Sequence, residues 1–350
     1  MDDMEINIVT SRFEHHADHS GYDQIVRFLQ DFLKVSVLNV SNSVAPYIPW
    51  PIVKLLVNRS GLYDLGYRVR SFYTEEIVAK NILSRKNEIY HFIYGENNYR
   101  YSGMFNNCRG NKIIASFHFP PSLLRKEIPN TRHIKKLSAV IALGRSQYSY
   151  FASLIGEKKV YFVPHGVDAG YFCPSSSQRH NKACLCTGMH LRDYPLLSKA
   201  IKFVYKKDKD IKFVVVSDKE SIRYFADMPS VQYLSGISEE QLLQLYQRST
   251  LFVMPLVDCA ANNALLEAMA SGLPILTTSI GDIKDYADES CAVFVEPGNA
   301  EAFAKNILEL LGDDKRLMGM SVHARKKALD FDWNNVALQM ASVYQKILQE

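Results

Sequence analysis

The chain has 350 residues, 47% hydrophobic and 22% charged, with a formal net charge of +4. That composition suits a soluble globular protein long enough for two domains. No run of about 18 apolar residues occurs, so no transmembrane helix is expected, and the acidic start MDDMEINIVTS enters a strand at once, against a signal peptide.

The six cysteines (108, 173, 184, 186, 259, 291) show no CxxC or other zinc spacing. Cys184 and Cys186 point the same way along an apolar strand, so buried, reduced thiols and a cytoplasmic setting are expected. Residues 1–170 hold 21 Lys+Arg against 15 Asp+Glu, and residues 171–350 hold 20 against 22. A basic first half suits an acidic lipid surface or an anionic acceptor; a chance excess of this size is the competing reading.

Ile6–Thr10 reads as the first strand. A polar loop follows, with Glu14, His15, His16, Asp18 and His19, and opens into an amphipathic helix from about Tyr22. Ser20 and Gly21 at its head present backbone N–H groups to the sheet edge. The histidines leave three readings open: a metal site, acceptor contact or general base, and ordinary loop polarity. Val35–Val40 is the second strand. Residues 44–73 are aromatic and punctuated by proline, with Lys54, Arg59, Arg68 and Arg70 interleaved. They read as an insertion touching an acceptor or membrane, or as a helix and loop packed on the domain.

Further strands are expected at Ile89–Tyr94, Lys112–Phe117, Ala139–Leu143 and Val160–Val163, alternating with helices, as in a parallel doubly wound sheet. His118 directly follows the strand IIASF, a carboxyl-end position where such sheets bind ligands. Arg125, Lys126, Arg132, Lys135 and Lys136 then suit either an anionic lipid surface or a solvated face. Ala183–Thr187, Phe213–Ser217 and Val231–Leu234 continue the strands, and residues 331–350 read as a terminal helix with Trp333, Val336, Met340, Val343, Tyr344 and Ile347 on one face.

The most informative stretch is LFVMPLVDCAANNALLEAMASGLPILTT, residues 251–278. Leu251–Met254 is a buried strand closed by Pro255, Asn262 and Asn263 can cap a helix, and Ala264–Ala270 is that helix, stopped by Gly272 and Pro274. Its amino end falls at the carboxyl edge of the sheet, where free amides and the helix dipole favour a phosphate. Glu267 lies one turn in, placed to accept from two adjacent hydroxyls, as on a ribose. The pattern asks for a nucleotide.

DCAANNALLEAMASGLP resembles the donor-binding segment of GT-B glycosyltransferases of family 4, which carry E-x7-E followed by A-M-A-x-G-x-P. Glu267 matches the second glutamate and AMASGLP the tail; Cys259, beside Asp258, stands at the first glutamate. VPHGVD is similar to the family's P-N-G-V-D passage, with His165 for the asparagine. LSGISEEQLLQLY is similar to its G-x5-E-L-x3-Y pattern, with Gly236, Leu242, Leu243 and Tyr246. The likeness spans most of the chain and is strongest from Val160 to Leu311.

The resemblance implies an α/β GT-B fold, two doubly wound, Rossmann-like parallel-sheet domains facing a cleft. Residues 1–165 would bind the acceptor and 166–330 the nucleotide-sugar, and 331–350 would form a helix crossing back. Donor contacts would come from Ser20, Gly21, Gly188, Gly236 and Ile237 (at the nucleobase), Cys259, Asn262, Asn263, Ala264 and Glu267. His15, His16 and His19 would meet the acceptor. His118, Arg192 and Asp258 are the expected catalytic residues. Arg192 replaces the family's arginine, whose place Met189 holds, and Asp258 substitutes for the first glutamate. The implied reaction is metal- and cofactor-free transfer from a nucleotide-sugar, UDP-linked, to a sugar, lipid-linked or glycoconjugate hydroxyl with retention. It would serve glycan synthesis, with peripheral contact to the cytoplasmic membrane face and no nucleic acid. The competing readings are a GT-B nucleotide-sugar epimerase and a non-catalytic nucleotide-sugar-binding protein.

Overall fold

Short apolar runs separated by helices suit a parallel sheet, because each parallel return needs a crossover connection. The structure, a computed structural model, obeys this throughout the residues it describes, which are 5–10, 18–38, 48–62, 65–175 and 182–349. The chain divides into two compact units, broken between His165 and Gly166.

Unit 1 holds β1 (Glu5–Val9), β2 (Lys34–Leu38), β3 (Ile89–Phe92), β4 (Lys112–Phe117), β5 (Ala139–Ala142) and β6 (Val160–Phe162) in the order β2-β1-β3-β4-β5-β6. Its helices are α1 (Ile25–Leu29), α2 (Trp50–Arg59), α3 (Val69–Ser84), α4 (Gly95–Asn98), α5 (Pro121–Glu127) and α6 (Arg145–Ile155). β3 and β5 are buried at every residue, which is why they read as unbroken apolar runs. The helix expected from Tyr22 is shorter than its pattern: a 3-10 turn, Tyr22–Gln24, leads into only five α-helical residues. β2 starts at Lys34 and leaves the chain no further length.

Unit 2 comprises Gly166–Trp333 and, among the described residues, 18–20. It holds β7 (Ala183–Thr187), β8 (Lys212–Val216), β9 (Val231–Leu234), β10 (Leu251–Met254), β11 (Ile275–Thr278) and β12 (Ala292–Val295), ordered β12-β11-β10-β7-β8-β9. The helices are α7 (Tyr194–Lys207), α8 (Glu239–Arg248), α9 (Asn263–Ala270), α10 (Ala300–Leu311) and α11 (Asp314–Asp330). One core cluster joins Leu265, Leu266 and Met269 of α9 to Ala324 and Ala328 of α11; another joins Leu197, Ile201 and Val204 of α7 to Phe303 and Ile307 of α10.

The last helix, α12 (Trp333–Gln349), belongs to unit 1 from Asn334 onward, and its predicted apolar face is buried. Tyr344 Oη lies 2.7 Å from His91 Nδ1, and His91 Nε2 lies 2.8 Å from Ser116 Oγ. Burial holds the His91 imidazole far below its usual pKa, at about 3, so this link is between neutral groups.

Strand order reverses between β1 and β3 in unit 1 and between β7 and β10 in unit 2. Crossovers diverge at such points and leave a crevice at the carboxyl edge. Beside them, one buried carboxylate organises the connection after β3. Glu75 of α3 accepts from Tyr67 Oη (2.5 Å), the amides of Arg100 (3.0 Å), Tyr101 (2.7 Å) and Ser102 (2.6 Å), and Ser102 Oγ (2.7 Å). Glu75→Ala orphans those donors. Urea unfolding should show a loss of about 3 kcal/mol or more, and Glu75→Gln should lose less.

Candidate functional site

Unit 2 gathers polar side chains at its reversal point. β7 ends at Thr187, and Gly188 turns the chain with φ +84°. A Cβ there would come within 2.8 Å of Arg192 Nη2, so the guanidinium occupies room that only glycine leaves. Arg192 Nε donates to the Thr187 carbonyl (2.9 Å), Nη1 to the His190 carbonyl (3.1 Å) and Nη2 to Asn262 Oδ1 (3.2 Å). Asn262 is the N-cap of α9, and its Oδ1 also accepts the Leu265 amide at 3.2 Å. The helix therefore starts one residue earlier than its composition suggests, at Asn263.

The first turn of α9 has no intrahelical acceptor for the Asn263 and Ala264 amides. With the helix dipole and the Arg192 charge, they form a corner suited to an anion. Gly188, Arg192, Asn262, Asn263 and Ala264 are thus brought together as expected. No lysine joins them in these hydrogen bonds.

Glu267, one turn into α9, is 5% exposed. Ser20 Oγ donates to its Oε1 at 2.5 Å and Tyr246 Oη to its Oε2 at 2.9 Å; Tyr246 Oη also lies 2.9 Å from Thr187 Oγ1. Burial raises the Glu267 pKa, and the two hydroxyls oppose that rise. Both oxygens that a ribose would use are already engaged. Ser20 thus contributes a hydroxyl to Glu267, where its backbone amide was the expected contribution.

His19 is likewise held within unit 2. Its ring stacks on Tyr171 (centroids 3.8 Å apart, planes 3° apart), Nδ1 lies 2.7 Å from Asp168 Oδ2, and its amide donates to Glu239 Oε1 at 3.0 Å. His15 and His16 lie outside the described residues. Gly21 has φ 105° and opens the Tyr22 turn in unit 1. Gly236 (φ +66°) is exposed between β9 and α8, followed by half-buried Ile237.

Asp258 Oδ1 accepts the Cys259 amide at 2.7 Å. The Cys259 side chain is 2% exposed in the core of unit 2, and burial pushes its thiol up to about 12. A neutral, buried thiol is not a sugar-hydroxyl partner, so any donor contact at this position falls to the backbone or to Asp258. His118 closes β4 in unit 1, with Nδ1 3.2 Å from Glu96 Oε1. No group of three His, Cys, Asp or Glu able to hold a metal occurs among the described residues, and none of their helices is long and apolar enough to cross a membrane.

Tyr246, Thr187, Asp168 and Tyr171 complete these networks without having been site candidates. Tyr246 was visible as a family-pattern position, but nothing local placed its hydroxyl on Glu267, 21 residues on. Asp168 was likewise a family-pattern position, in VPHGVD, while Thr187 and Tyr171 carried no local signal.

Residues 181–313 match the family model of "Glycosyl transferases group 1". That stretch of the chain is similar to this family. Around it, the chain is 25% identical over 206 residues to the MMP alpha-(1->4)-mannosyltransferase of Mycolicibacterium hassiacum, covering 55% of this chain and 50% of that one. It is 26% identical over 219 residues to the lipopolysaccharide glucosyltransferase WaaG of Escherichia coli, covering 62% and 51%. The chain thus spans about half the length of these curated relatives. Its fold is that of Anabaena HepE, solved in complex with UDP and glucose: TM-score 0.66 at 13% identity, over 98% of this chain and 100% of that one. The two six-stranded parallel sheets are the GT-B architecture.

Glu267 also predicts a pH signature. Because its folded pKa is raised, its ionisation costs the fold stability as pH rises through that value, and the protonated form is favoured below it. Between the ordinary carboxylate range and the raised value, wild-type unfolding free energy should fall with rising pH. Glu267→Gln should flatten that segment in urea titrations at a series of pH values.

Proposed function

We propose that this chain is a glycosyltransferase that moves a sugar from a nucleotide-sugar to an acceptor hydroxyl in glycan or glycoconjugate synthesis. The observation that carries the reading is the corner at the head of α9, where Arg192 Nη2 meets the capping Asn262 at 3.2 Å beside the first-turn amides. Departure of a nucleoside diphosphate builds negative charge, and donors fixed beforehand stabilise it without reorganising. Asp258 lies on the β10–α9 connection and Glu267 one turn into the helix, so sugar, phosphate and ribose contacts come from one loop-helix unit. UDP is the proposed nucleotide, supported by the UDP in the similarly folded HepE structure. Retention follows the family resemblance. The acceptor is assigned to unit 1, with His118 as its polar contact, and no metal or cofactor is invoked.

A thermal-shift screen of UDP, GDP and TDP with their sugar conjugates tests the reading, because a ligand that binds only the folded state raises Tm by mass action. At least one conjugate should stabilise the protein; none doing so overturns the proposal. Arg192→Ala should lower turnover by about 10²–10³-fold with the fold intact, whereas a near-normal rate reassigns the phosphate contact. Glu267→Ala should weaken the nucleoside diphosphate by roughly 1.5–3 kcal/mol. Ser20→Ala should instead tighten it, because a ribose no longer displaces that hydroxyl, and should leave a 2′,3′-dideoxy analogue unchanged.

Peripheral membrane contact is part of the same proposal. Trp50 of α2 is 55% exposed, beside exposed Ile52 and Leu55, and it lines a cavity of about 350 Å³ with Lys54, Arg68 and Arg70. Apolar anchors ringed by cations suit an anionic interface. The other tryptophan, Trp333, is buried, so a blue shift of fluorescence with phosphatidylglycerol vesicles, absent with phosphatidylcholine, reports Trp50. No shift with either lipid removes the membrane.

A further inference from the structure

The connection from β7 to α7 contains two residues in the left-handed region, Gly188 at φ +84° and Leu191 at φ +56°. Glycine enters that region freely, whereas a leucine does so against contact between its Cβ and the following carbonyl. The other described non-glycine residues with positive φ are Asn87, Asn107, Arg109 and Lys182, so Leu191 is the aliphatic one among them. It is the third residue of a turn closed by the Arg192 amide on the Met189 carbonyl at 3.4 Å. Where φ at that place is positive, glycine or asparagine is the usual occupant. A conformation of this cost persists only where its surroundings impose it, and such residues collect at functional sites.

The surroundings that impose it lie on the connection after β10. The Leu191 carbonyl accepts the Val257 amide at 3.0 Å, and the Asp193 amide donates to the Pro255 carbonyl at 2.9 Å. These bonds flank the antiparallel bridge between Arg192 and Leu256. Asp193 is also the N-cap of α7, where its Oδ1 accepts the Leu196 amide at 2.9 Å. The chain must therefore turn and enter the bridge within a few residues of Gly188. The φ of Leu191 sets the angle between the peptide carrying the His190 carbonyl and the one carrying its own. The first carbonyl holds Arg192 Nη1 at 3.1 Å and the second holds Val257. A negative φ would break one of these bonds, and the guanidinium that reaches Asn262 Oδ1 at 3.2 Å would lose its aim.

We propose that Leu191 is a positioning residue for Arg192: its left-handed backbone aims the guanidinium at the head of α9 before an anion arrives. Donors fixed in advance need no reorganisation when negative charge reaches them. The diphosphate as ligand rests on the glycosyltransferase reading; the backbone role does not. The site uses the conformation and not the isobutyl group, so tolerance of positive φ ranks the substitutions, with asparagine above leucine and isoleucine below it.

Calorimetry of the full chain with UDP, uridine and inorganic pyrophosphate tests this. Leu191→Ile conserves volume, but β-branching opposes a positive φ. It should weaken UDP and pyrophosphate about tenfold while uridine binds as before, because only the phosphate contacts pass through Arg192. Leu191→Asn should keep the wild-type ratio of UDP to uridine affinity. In an Arg192→Ala background, Leu191→Ile should weaken UDP no further. A role in packing alone would lower the Tm of Leu191→Ile without changing that ratio. An unchanged ratio in Leu191→Ile, an equal loss in both backgrounds, or a loss in Leu191→Asn overturns the proposal. Pyrophosphate bound by wild type without any of UDP, GDP or TDP would sink the glycosyltransferase reading and still judge Leu191; failure to bind either overturns both.

Discussion

The placement of β10 between β7 and β11 is the constraint from which the arrangement of unit 2's polar corner follows. β10 is buried at all four residues and paired in parallel on both sides. It therefore ends where the strand order reverses, and the chain must turn into α9 there. The capping asparagine, the first-turn amides and the turn that follows β7 all converge on the same edge. Arg192 joins them because an isolated bridge to Leu256 ties its loop to the connection after β10. A corner of guanidinium and first-turn amide donors is the geometric result of sheet topology combined with one capped helix.

The buried carboxylates of the two units are satisfied to different degrees. Glu267 has a hydroxyl on each oxygen, so any diol must compete with Ser20 or Tyr246. Competition of this kind lowers affinity and sharpens selection, because only a ligand that replaces the lost bonds is accepted. Glu96 has one oxygen committed to His118 and one without a partner among the described residues. A fully satisfied buried group rigidifies its surroundings. Glu75 is such a group, since its five donors anchor the loop after α4.

Much of this was legible beforehand. The strands lie within a residue or two of the apolar runs that announced them, most plainly β3, β5, β10 and β11, because a strand buried on both faces must be apolar along its length. The terminal helix buries the face that its 3.6-residue period marked, with Trp333, Val336, Met340 and Tyr344 all inside. The Asn262 cap, the stop at Gly272 and the glutamate one turn in were all readable. The short helix after Tyr22 was not, because its length was set by where β2 had to begin.

The sequence by itself determined the order of elements, the parallel sheets and the position of one capped helix start at the sheet edge. Each of these rests on interactions a few residues apart or on a repeating period, and such patterns survive in a linear string. Tertiary structure decided which groups meet: Arg192 with Asn262 across 70 residues, Ser20 with Glu267 across 247, and His118 with Glu96 across 22. It also buried Cys259 at a position the motif had marked for a ligand. Hydrogen bonds between side chains so far apart follow from packing and strand order, and no local spacing encodes them.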